Sequence, residues 1–150
     1  MDSATYKIGV AHYKGHSDVI STFNWAIVVR KAHRQVICYQ LQGSQYNFSL
    51  APTNQVELLA RSLTFRGAFE IGEFEASKLT QLETIITQVP IHNDILGWDS
   101  QHWVVSALER IRSAGIVSSA RRFTREFILE GLEEVTEEWE AAESTFCDSD

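Results

Sequence analysis

The stretch Phe23-Asn24-Trp25-Ala26-Ile27-Val28-Val29-Arg30 constrains the fold more than any other segment of the chain. Phe23, Trp25, Ile27 and Val29 alternate with Asn24, Ala26 and Val28, so both sides of an extended chain are apolar apart from one amide. A strand of this kind lies inside a sheet and is covered on both faces. It demands neighbours on each side and a core to bury it. The 150 residues can supply one, being 44% hydrophobic and 11% aromatic. A chain of this length buries about 70% of its unfolded surface, whereas disordered chains are poorer in such residues.

Neighbouring strands are legible on either side. Thr5–Tyr13 reads as a strand with Ile8 and Val10 on one face and Gly9 and Ala11 between them. The polar stretch from Tyr13 to Ser21 reads as a loop. Lys31–Arg34 makes a tight polar turn into a strand over Gln35–Gln42, with Val36 and Cys38 on one face and Ile37, Tyr39 and Leu41 on the other. A hairpin is the natural pairing. A short strand follows over Tyr46–Leu50, then a helical turn after Pro52 carrying Val56, Leu58 and Leu59. Leu63–Phe74 reads as one or two strands bent at Gly67.

The period then changes. Glu75–Gln88 carries Leu79, Leu82, Ile85 and Ile86 at helical spacing, and Pro90 stops it. Asp99–Ala114 is the clearest helix, with Trp103, Ala107, Leu108 and Ile111 as its apolar stripe. Asp99 suits the N-cap, because its carboxylate accepts a bond from an orphan N–H of the first turn. Gly115 suits the position just past the end. Ala120 to about Glu140 forms a second long helix through Phe123, Phe127, Leu132, Val135 and Trp139. The expectation is an α+β domain over residues 1–140, an antiparallel sheet packed against helices, with residues 141–150 as an acidic disordered tail.

Charge and cysteine usage exclude several classes. The net charge is −7, and residues 126–150 hold ten acids with no Lys or Arg. The first 125 residues carry 13 bases against ten acids, without a basic stripe interleaved with aromatics. Nucleic acid is therefore an unsuitable partner. Cys38 and Cys147 stand far apart, which leaves neither a disulfide framework nor a zinc site built on several cysteines. His12 and His16 are four residues apart but fall in a strand and a loop, so they do not form a metal pair; no metal and no cofactor is expected. Nothing is apolar for long enough to span a membrane, and the first residues lack the pattern of a secretory signal. The expected setting is the cytoplasm.

Two short motifs in order, Phe23-Asn24-Trp25-Ala26 on a strand and Trp98-Asp99-Ser100-Gln101-His102-Trp103 opening a helix, carry a resemblance. Over about Phe23–Ile116 the chain resembles the papain-like superfamily of small cysteine hydrolases and acyltransferases. It is closest to the circularly permuted branch that includes lecithin:retinol acyltransferase and related fungal proteins of unknown role. In those relatives a His-Trp-Ala strand supplies the base, and an Asn-Cys-Gln/Glu-x-Trp/Phe helix start supplies the nucleophile. The chemistry is intelligible: a thiol in a helix's first turn is made acidic by the dipole and unpaired N–H groups. A neighbouring imidazole completes the ion pair, and the same N–H groups can hold an oxyanion.

The chain departs from the motif at both decisive positions. Ser100 stands where the resemblance places the cysteine, and Asn24 where it places the histidine. A serine hydroxyl needs a base to take its proton, which an amide cannot do. The resemblance thus implies a catalytically degenerate papain-like domain whose cleft binds a small hydrophobic molecule or a protein partner. An alternative is a cyclase or isomerase of a hydrophobic metabolite using His16, Asn24, Tyr39 or Ser100 as hydrogen-bonding or acid–base groups. A third reading keeps a hydrolase or acyltransferase with Ser100 activated by His12 or His16. Trp25, Trp98, Gln101 and His12 are the residues expected to touch a ligand, although Trp25, Trp98 and Trp103 first suit a core between sheet and helix, with stacking on a flat ligand as the alternative.

Overall fold

Alternation of apolar side chains across β-strands and their recurrence along three helices produce a two-layer α+β architecture. The computed structural model describes residues 4–31, 35–56, 64–118 and 122–148, with side chains undescribed at 54–56 and 139–148. Among these residues the strands are β1 (Thr5–Tyr13), β2 (Asn24–Arg30), β3 (Val36–Gln42), β4 (Ser49–Leu50), β5 (Asn54–Val56) and β6 (Phe65–Glu75). Three helices follow, α1 (Leu79–Thr87), α2 (Ser100–Ser113) and α3 (Arg125–Asp148). Every pairing is antiparallel, in the order β4-β3-β2-β1-β6, with β5 also on β3.

The doubly apolar strand is where its composition demands. β2 lies between β1 and β3, with Trp25 through Val29 all buried. Its first face, with Trp25, Ile27 and Val29, joins Ile8 and Val10 of β1 and Ile37 and Tyr39 of β3 under the helices. Leu82 and Ile86 of α1, Trp103, Val104, Leu108 and Ile111 of α2, and Ile128 and Leu132 of α3 complete that core. Its second face, with Ala26 and Val28, belongs to a smaller cluster of Ala11, Val36, Cys38 and Phe65.

Three local expectations differ from the structure. Asn54–Val56 is a strand, not a helical turn: it pairs with Val36–Cys38, and sheet pairing overrides a weak local preference. Pro52 falls in the break between β4 and β5, where no ladder N–H is needed. The last long helix begins at Arg125 and not near Ala120, because Thr124 caps it; the Thr124 hydroxyl accepts the Phe127 N–H at 3.2 Å. That helix also runs to Asp148, past the boundary drawn at 140. Glu and Ala, which dominate Glu137–Glu143, are good helix formers, and this outweighs the adverse dipole. Residues 32–34 of the expected turn, Leu58, Leu59, Leu63 and Ala120 lie outside the described residues, as do the side chains of Trp139 and Cys147.

β6 is one strand, not two, and it carries the bend at Gly67 (φ 126°). Two register shifts interrupt its pairing with β1. Between Ile8↔Gly72 and Gly9↔Glu70, Ile71 is an extra residue on β6. Such a bulge redirects the side chains beyond it.

Candidate functional site

The motif that opens α2 folds into a hydrogen-bonded knot. Asp99 is the N-cap: its carboxylate accepts the Gln101 N–H at 3.0 Å, and the His102 ring returns a bond to the Asp99 N–H in a capping box. His102 is exposed and serves the cap. Ser100, the first residue of α2, is buried, and its Oγ accepts the Trp25 main-chain N–H at 3.0 Å. The next residue does more still. Gln101 donates from Nε2 to the carbonyls of Ser21 and Phe23, both at 2.9 Å, and accepts from Arg125 Nε at 2.8 Å. Arg125 also donates to the Ser21 carbonyl. One amide therefore ties α2, the approach to β2, and α3 together.

Ser100 and Asn24 flank Trp25 but engage differently. Trp25 points to the helices, and strand alternation sends the Asn24 side chain to the other face. Asn24 is exposed, and its amide nitrogen lies beside Gly15 in the preceding loop. Among the described residues, no hydrogen bond joins Asn24 to Ser100, and no imidazole is bonded to the Ser100 hydroxyl. The seryl oxygen is occupied by a backbone donor, and none of the described residues gives it a base.

The remaining expected site residues are dispersed. His16 is exposed in the loop after β1. Tyr39 lies on the helix face of β3, its hydroxyl donating to Glu83 Oε2 of α1 at 2.7 Å; burial, then that carboxylate, push its pKa up. Trp25, Trp98 and Gln101 are all buried. Trp98 packs edge-on against Phe48 and His92, with centroids 5.9 and 5.5 Å away. Cys38 lies on the second face of the sheet near the Tyr13 hydroxyl, and burial pushes its thiol pKa up.

His12 is fully buried on β1, opposite Trp25 in register. Its Nε2 is 2.7 Å from Thr136 Oγ1 of α3. Thr136 Oγ1 also faces two carbonyls that can only accept, Leu132 at 2.7 Å and Arg66 at 3.2 Å; its single proton serves these, which leaves the oxygen to accept from His12 Nε2–H. That fixes the tautomer. Among the described residues, Nδ1 is a buried lone pair with no hydrogen-bond partner, and the Trp25 Nε1–H has no acceptor. Burial brings the His12 pKa down to about 4, so the ring is neutral at pH 7.

Sequence reasoning missed Arg125, Thr136 and Gln45. Nothing local marks them, since each acts across a long loop. Gln45 clamps the loop before α2 by donating to the Ile95 carbonyl and accepting the Gly97 N–H, both at 3.1 Å. Asn93 clamps Phe48 in the same way, at 2.7 and 2.9 Å. The two loops so joined carry Tyr46, Ile95 and Leu96, which are exposed. Among the described residues, no group of three or more His, Cys, Asp or Glu side chains is arranged to hold a metal ion. No helix among them is long and apolar enough to cross a membrane.

Fold and site together define an α+β domain with three helices on one face of an antiparallel sheet and a hydrogen-bonded knot where the middle helix begins. Residues 11–118 match the model of a family of unknown function, DUF6540, and the chain belongs to that family. No curated protein and no solved structure matches the chain.

Proposed function

We propose that this chain is a catalytically degenerate papain-like domain that acts by binding. The observation that carries the reading is the Ser100 hydroxyl, which accepts the Trp25 N–H and, among the described residues, has no imidazole bonded to it. Activating a serine requires a base within hydrogen-bond reach. The buried histidine, His12, uses its proton to hold Thr136. The close contact of α2 with β2 at Ser100, Trp25 and Gln101 also favours binding over a pocket enzyme at this point. An exposed apolar surface lies nearby in sequence: the two loops joined by Gln45 and Asn93 carry Tyr46, Ile95 and Leu96 outward, which suits a protein partner.

The test has two arms. A fluorophosphonate probe and a panel of activated esters should give no labelling at Ser100 and no turnover that Ser100→Ala removes; labelling of Ser100 would overturn the reading. Affinity capture with the intact chain should then retain a stoichiometric partner that Leu96→Ser or Asn24→Asp releases. Retention unaffected by both substitutions would move the binding surface elsewhere.

A further inference from the structure

Arg121-Arg122-Phe123-Thr124 leads directly into α3. Three of the chain's 13 Lys and Arg residues fall at positions 121–125, and no Lys or Arg follows them. A hydroxyl side chain just beyond a pair of arginines, with one residue between, is a pattern that a protein kinase with an acidic peptide groove selects by charge. The knot at Ser100 uses Arg125 but neither Arg122 nor Thr124.

The structure exposes what such an enzyme reads and buries what it does not. Thr124 is exposed, and the Arg122 side chain keeps 76% of its surface in solvent. Phe123, the position that the charge pattern leaves open, is buried and anchors the segment in the core. Residues 122–124 precede the helix, whose first intrahelical bond runs from the Ile128 N–H to the Thr124 carbonyl. A bond from the Thr124 N–H to the Arg122 carbonyl at 3.1 Å turns the chain, and binding in a groove requires only that turn to open. Ser113 also follows arginines, at 110 and 112, but it lies inside α2, where a helical backbone cannot extend along a groove.

The Thr124 hydroxyl is chemically available. Its oxygen accepts the Phe127 N–H at 3.2 Å, and among the described residues its proton goes to no acceptor. We propose that Thr124 is the phosphorylation site of a basic-directed protein kinase. Its oxygen attacks the γ-phosphorus of a nucleoside triphosphate while the bond to the departing diphosphate breaks, and the hydroxyl proton passes to the kinase's catalytic carboxylate. The phosphothreonine then stands at the start of a 24-residue helix, where its oxygens accept first-turn N–H groups. Arg122 is the cation that can turn to it, since its contact with Glu109 is 3.8 Å long and the arginine is mostly in solvent. Arg125 is already held by Gln101 and the Ser21 carbonyl. The modification therefore fastens α3 at its first turn. It concerns this helix start and not the Ser100 hydroxyl, so it goes beyond the function proposed above and does not depend on it.

The test uses the folded full chain with the catalytic subunit of cyclic-AMP-dependent protein kinase and magnesium ATP, read by intact mass and peptide mapping. One phosphate at Thr124 is expected. Thr124→Asn, which keeps an N-cap oxygen, should abolish it, and Thr124→Ser should retain it. Arg122→Gln should lower kcat/KM about tenfold, the worth of one charge-assisted bond. The phosphorylated chain should unfold at a higher urea concentration than its parent. No phosphate on the folded chain, phosphate only after unfolding, phosphate at Ser113 instead, or a rate indifferent to Arg122→Gln would each overturn the site. A phosphorylated chain no more stable than its parent would overturn the fastening of α3. A retained amide spectrum in each variant separates a lost acceptor from a lost fold.

Discussion

His12 of β1 donates its Nε2 proton to Thr136 of α3, joining residues 124 positions apart inside the core. The contact fixes the histidine in one neutral tautomer and seats α3 on the sheet. Among the described residues its other nitrogen has no hydrogen-bond partner, so a second proton would be buried at a cost that the Arg66 backbone offsets only in part.

A pH dependence of stability follows. The His12 pKa is about 4 in the fold against an ordinary 6.5. Between those values the unfolded chain binds more protons, so stability is full above pH 6.5 and falls as pH drops towards and below 4. The loss reaches about 3 kcal/mol at its limit. Urea unfolding at pH 7, 5.5 and 4.5 should show the decline, and His12→Gln should flatten it. An unchanged slope in that variant would mean that other groups carry it.

Ser100 should matter to stability and not to turnover. Ser100→Ala leaves the buried Trp25 N–H without an acceptor, at a cost of about 1–3 kcal/mol. Ser100→Thr keeps the oxygen and should recover part of the loss. Chemical denaturation of the three forms gives the comparison; an alanine variant as stable as the parent would mean that the N–H finds another partner.

Gln101 should be the most sensitive polar position in the knot. Gln101→Glu keeps the size and the Arg125 contact but puts an acceptor against the carbonyls of Ser21 and Phe23, which need donors. A destabilisation of about 2 kcal/mol or more is expected. Arg125→Met should cost less in the glutamine background than in the glutamate one, because the arginine then becomes the one partner of a new buried charge. A thermal or urea double-mutant cycle reads this coupling directly.

Much of this architecture was legible because it rests on local periodicity. The doubly apolar run at Trp25–Val29 announces a central strand, and Asp99 and Gly115 bracket α2 as cap chemistry requires. What was not legible depends on chain segments that meet only after folding. Asn54–Val56 becomes a strand because β3 offers an edge. The Arg30–Glu70 pair needs the Ile71 bulge, which no spacing in β6 reveals. The motif placed Ser100 and Asn24 near one another, and both do adjoin Trp25. Whether their side chains share a face was set by the phase of β2, which sends the amide away from the hydroxyl.

A last prediction sets helix propensity against packing. Gly131 is in the middle of α3, where replacing glycine by alanine ordinarily stabilises a helix by about 1 kcal/mol. Here the added methyl would overlap the Phe69 ring, which packs at 5.5 Å from Phe127. Forcing a ring aside in a packed interface costs about 1–3 kcal/mol, so Gly131→Ala should be net destabilising. Phe69→Leu removes the obstructing ring atoms, and in that background Gly131→Ala should become neutral or stabilising. The coupling between the two substitutions, measured by urea unfolding, should therefore be favourable. Additive effects would show that Phe69 turns away freely and that α3 is not seated on β6 through this notch.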